Sequence, residues 1–87
     1  MADSLADQIL AMDGPEHWLT GQLEFIDSQL ANHVRTRARH MVDVATYTRL
    51  GAQLPLRYHQ AQADHCTTRI QELLDLRLQV MHKGAQQ

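Results

Sequence analysis

Apolar side chains recur along this chain at helical spacing, in three runs separated by two short breaks. In the first run Leu5, Ile9 and Met12 step by four and three residues. Ser4 stands before them with a carboxylate, Asp7, three residues on, so a short amphipathic helix is predicted over about 4–12. Asp13-Gly14-Pro15-Glu16 ends that helix and starts the next, supplying a cap, a proline suited to a first turn and an acid at the positive end of the helix dipole. From Glu16 to Leu50 no proline interrupts the chain, and Leu19, Leu23, Ile26, Leu30, Val34, Met41 and Ala45 form a stripe stepping by three, four or seven residues. At 1.5 Å per residue this second element spans roughly 50 Å. The third run, over about 56–83, carries Ala63, Cys66, Ile70, Leu73, Leu74, Val80 and Met81 on its apolar side, with Gly84 as its stop.

The break between the long runs is Gly51-Ala52-Gln53-Leu54-Pro55. Glycine accepts the left-handed conformation that ends a helix and proline does not continue one, so the segment reads as the turn of a helical hairpin. The predicted fold is all-α, one domain over residues 1–87, with two long helices and a short N-terminal one. Folding the hairpin about Gln53 sets Leu23, Ile26 and Leu30 against the zone of Ile70 to Met81, and Arg37 and His40 against the zone of Cys66 and Arg69. The far end is therefore apolar and the middle polar. One hairpin leaves much of each stripe uncovered, and a long exposed apolar stripe marks an interface. The expected partner-binding residues are Leu19, Leu23, Ile26, Leu30, Ile70, Leu73 and Leu74. The expected occupant is a second copy or an amphipathic helix of another protein, with the N-terminal helix covering part of the stripe.

Composition narrows the function classes. A net charge of −2 with interspersed signs lacks the concentrated positive field that nucleic acid requires. Six histidines would carry the chain toward zero or positive charge below about pH 6 if several titrate near neutrality. The one cysteine, Cys66, has no intrachain partner, no run is apolar and long enough to span a bilayer, and Met1-Ala2-Asp3-Ser4 lacks a basic leader, so a reducing, cytoplasmic setting is expected. His33, His40, His59, His65 and Cys66 fall in one region of the folded hairpin. None has the tight spacing of a zinc finger or of His-Glu-x-x-His, and the expectation is solvated or half-buried histidines with no metal and no cofactor. Cys66, inside a helix, reads as a small core residue rather than a nucleophile. In Arg35-Thr36-Arg37-Ala38-Arg39 the charges spread around the helix, with one arginine at most turned inward. Trp18 reads as an anchor for the N-terminal helix, and Tyr47 and Tyr58 as packing on each other across the turn.

Two family resemblances attach to these residues. The run Leu19-Thr20-Gly21-Gln22-Leu23-Glu24-Phe25-Ile26-Asp27-Ser28-Gln29-Leu30, with Arg37, Val44, Ala45 and Leu54-Pro55-Leu56-Arg57 downstream, resembles the first helix and loop of the all-helical AroQ class of chorismate mutases. The resemblance covers less than half of the chain. It implies that Arg37 binds a substrate carboxylate, with Arg49 beside the position of the family's ether-oxygen lysine. The remaining family cations fall on Thr20, Thr48 and Ala61, and a dianionic substrate with a charge-separated transition state needs several fixed donors. Pro55 three residues before Tyr58, at the start of the second helix, is similar to small E-type co-chaperones of type III secretion, helical hairpins that hold needle protein. That resemblance implies partner binding through an exposed helical face. The sequence therefore points to a non-enzymatic helical interaction protein. A chorismate-mutase-like enzyme acting on a small carboxylate, with Arg37 and Arg49 as anion-binding groups, is the alternative.

Overall fold

Two long proline-poor stretches joined at one glycine become two helices. The computed structural model describes residues 15–85, with side chains from residue 18 onward, as α1 (Pro15–Leu50) followed by α2 (Gln53–Ala85). The helix predicted over 4–12 lies outside the described residues. Gly51 has φ +67°, and its N–H donates to Thr48 O at 3.2 Å while the Ala52 N–H donates to Tyr47 O at 3.1 Å. This pair of bonds satisfies carbonyls that the end of α1 would otherwise leave open. Ala52 O in turn accepts from Leu56 N, so Ala52 opens α2 two residues after α1 closes. The predicted start near Leu56 is thus corrected to Gln53. Pro55 sits in the first turn of α2, where its missing N–H is not needed. Gly84 is likewise not a stop, since α2 runs on through Ala85.

The antiparallel helices bring Leu19 to Gly84, Asp27 to Arg77, Arg37 to Thr67 and His40 to His59. On α2 the buried or half-buried positions Leu56, His59, Ala63, Cys66, Ile70, Leu73, Arg77, Val80 and Gly84 alternate steps of three and four without a break. On α1 the same alternation runs through Leu19, Leu23, Ile26, Leu30, His33, Arg37, His40, Val44 and Tyr47, all but Arg37 at least half-buried. This is a two-helix seam of coiled-coil type. Its apolar centre is Ile26, Leu73 and Val80, with Leu19, Leu23 and Leu30 packed against them. Ile26 is the most enclosed side chain, 1 % exposed. Each such burial contributes on the order of 1.5–3 kcal/mol.

The seam departs from the predicted stripe beyond Leu30. Val34 is 53 % exposed, and Met41 and Ala45 are exposed as well, because the alternation passes instead through His33, Arg37, His40 and Val44. Polar side chains are tolerated there because partners meet them. Arg37 Nε donates to Thr67 Oγ1 at 2.8 Å, and the His40 and His59 rings meet through their Nδ1 atoms. The expected zone of Cys66 and Arg69 holds for Arg37, which meets Thr67 within it, and is corrected for His40. His40 meets His59, and Arg69 pairs with Glu72 on its own helix.

Candidate functional site

Each helix of a seam has two flanks, and here they differ in chemistry. On one side lie Val34 and Met41 of α1 and Leu74, Leu78 and Met81 of α2, all exposed, with Ala38 and Ala45 beside them. Contacts crossing from the seam fix this side as common to both helices. Arg77 Nε donates to Asp27 Oδ1 at 2.8 Å, Arg77 also reaches Met81 Sδ at 3.1 Å, and Arg37 reaches Thr67. Along the axis α1 supplies the apolar groups near the turn and α2 supplies them toward the open end, so the strip runs diagonally over roughly 28 Å. Beside the small Ala63 the strip sinks into a depression of about 440 Å³, lined by Arg37, Met41, Val44, Gln60, Ala63 and Asp64.

Of the residues expected to bind a partner, Ile26 and Leu73 are buried within the hairpin itself and Leu19, Leu23 and Leu30 pack on them. Ile70 is half-buried in the seam, and Leu74 alone of the seven is exposed on the outer strip. Val34, Met41, Leu78 and Met81, which complete the strip, lie one helical position off the seam. A search for flanking apolar groups beside the three-four alternation finds them.

Arg37 and Arg49 do not converge. They are twelve residues apart on one helix, about 18 Å along its axis, and Arg37 shares its depression with the carboxylate of Asp64. Arg49 is exposed in the last turn of α1, where a cation complements the helix dipole. Arg37 is the one member of its arginine run held across the seam, while Arg35 and Arg39 are exposed.

The opposite flank is polar near the turn. His40 Nδ1 and His59 Nδ1 are 2.8 Å apart, a separation at which one ring N–H donates to the other ring's lone pair. Asp43 Oδ2 lies 3.6 Å from His59 Nδ1. Tyr47 stacks on His59 with centroids 5.6 Å apart and planes 11° from parallel, and Tyr58 sets its edge against both imidazoles. The two tyrosines therefore pack on His59, not on each other as predicted. Of the other residues expected to gather here, His33 is half-buried further along the seam, His65 is exposed and Cys66 is buried in the seam. Trp18 lies under Lys83, with Nζ 5.8 Å from the ring centroid, at the open end.

No helix among the described residues is long and apolar enough to cross a membrane. Comparison with protein-family models, with curated proteins and with solved structures finds no match to this chain.

Proposed function

We propose that this chain is a non-enzymatic helical interaction protein whose outer strip, Val34, Met41, Leu74, Leu78 and Met81, docks against the same strip of a second copy. The observation that carries this reading is the thinness of the core. Among the described residues only Ile26, Ala63, Cys66, Leu73 and Val80 are buried, while a diagonal line of large apolar groups stays open. Two layers of antiparallel helices laid face to face would enclose those groups as a four-helix bundle does. A two-fold pairing needs a self-complementary surface, and the strip offers one: apolar along its length, with Arg37 and Asp64 supplying both signs at its depression. Both resemblances to helical families are consistent with docking of helices. The mutase version lacks a converged pair of cations, and the co-chaperone version puts a partner's helix on the same strip.

Sedimentation equilibrium from 1 to 100 μM tests the proposal. A dimer is expected, with Val34→Asp, Leu78→Asp double substitution returning a monomer of unchanged helicity, because both side chains are exposed in the single hairpin. A monomer throughout the range whose melting temperature does not depend on concentration would refute self-docking. A dimer that ignores the double substitution would move the interface elsewhere.

A further inference from the structure

On an observation independent of the outer strip, we infer that His40, Asp43 and His59 form a binding site for a divalent first-row transition metal ion of the zinc type, tying α1 to α2 beside the turn. The three donors come from both helices, and one ligand atom from each falls within 4.8 Å of the others. A tetrahedral zinc ion with bonds of about 2.0–2.1 Å holds its ligand atoms about 3.3 Å apart. The Nδ1 to Nδ1 distance of 2.8 Å and the Nδ1 to Oδ2 distance of 3.6 Å bracket that value for two of the three ligand pairs, and the whole set lies within 4.8 Å. Two imidazoles with one carboxylate suit zinc-type ions and not the all-oxygen shells of magnesium or calcium. A water would fill the fourth position.

The setting holds the rings in place. His40 and His59 occupy seam positions in neighbouring layers, where apolar side chains would pack without polar atoms to satisfy. Tyr47 stacked on His59 and Tyr58 edged against both imidazoles restrict their rotation, and His59 is only 17 % exposed at its side chain. His40 and Asp43 are one turn apart on α1 while His59 comes from α2, so the complete set exists only in the closed hairpin. An ion that binds the folded form and not the unfolded chain at one hundred times its Kd raises the folded-to-unfolded ratio about 100-fold.

Calorimetric titration of the full untagged chain with zinc chloride tests the site, with thermal melts by circular dichroism in zinc and in chelator. One equivalent per chain and a higher melting temperature are expected. Asp43→Asn and His59→Gln should each lose both effects while keeping their helicity in chelator, and His65→Gln, at an exposed position, should keep both. A measurement on the unaltered chain does not depend on how the variants fold: in long-range proton–nitrogen spectra zinc should shift Nδ1 of His40 and His59 and leave His33 and His65 in place. The inference is overturned by absence of binding at 100 μM zinc, by binding that survives in Asp43→Asn and His59→Gln, by equal competition from magnesium, or by zinc shifts confined to other histidines.

Discussion

Neighbouring residues on α1 separate the seam from mere hydrophobicity. Ile26 is 1 % exposed and Phe25, the larger apolar side chain, is 63 % exposed. Ile26→Ala removes three carbons from the centre of the Ile26, Leu73, Val80 cluster, a transfer loss of about 2.4 kcal/mol at about 0.8 kcal/mol per carbon. A residual cavity adds to this, and buried isoleucine truncations cost about 2–5 kcal/mol. A two-helix layer can close over a void from its open flank, which puts the expectation near the lower end, about 2.5–3 kcal/mol. Phe25→Ala should stay within about 0.5 kcal/mol, as an exposed position does. Set against about 4–13 kcal/mol for a chain of 87 residues, the first change is a large share of the total and the second is not. Urea denaturation followed by far-ultraviolet circular dichroism, with all proteins at one concentration, measures both. If Phe25→Ala costs as much as Ile26→Ala, the three-four seam through Ile26 is wrong and the apolar contact lies on another face of α1.

Two further outcomes follow from the same geometry. A Cβ at Gly84 would meet Leu19 Cδ1 and Cδ2 at 2.8 Å, so Gly84→Ala should fall short of the helix-propensity gain of about 1 kcal/mol that an exposed glycine gives, and recovery of that full gain in urea melts would remove Leu19 from this contact. Conversion of chorismate above its uncatalysed rate should be undetectable by loss of its ultraviolet absorbance, because Thr20, Thr48 and Ala61 hold the positions that the chorismate-mutase resemblance would require to be cations. Turnover that disappears in Arg37→Ala would restore the enzyme reading.

The two long helices and their turn were legible because Gly51 and the absence of proline act within a few residues of where they stand. Leu19, Leu23, Ile26 and Leu30 were legible as one stripe for the same reason, since four apolar groups at steps of four and three leave one face. The role of that stripe was harder to read. It closes the hairpin on itself, and the exposed strip is made of residues just off the seam. Beyond Leu30 the apolar pattern leads to Val34, whereas the three-four alternation leads to His33 and Arg37. A polar residue declares its place in a seam only when its partner is known, and Thr67 is thirty residues from Arg37. His40 and His59 fall in one region of the hairpin by sequence position, together with His33, His65 and Cys66. Asp43, one turn beyond His40, joins them only once the flank of α1 that faces His59 is fixed.

The turn at Gly51 decides more than the direction of the chain. Were Gly51 and Ala52 to take helical angles, residues 15–85 would form a single rod of about 106 Å. In that rod the nine residue steps from Tyr47 to Leu56 would turn the helix about two and a half times, so the α2 half of the seam would face away from the α1 half. A straight antiparallel neighbour could then cover one half of the seam and leave the other half open, so the seam positions on the two helices agree with the hairpin and not with the rod. The positive φ at Gly51, which costs a non-glycine residue on the order of 1–2 kcal/mol, and the two bonds that close around it therefore set the rotation of one apolar stripe relative to the other as well as the reversal of the chain.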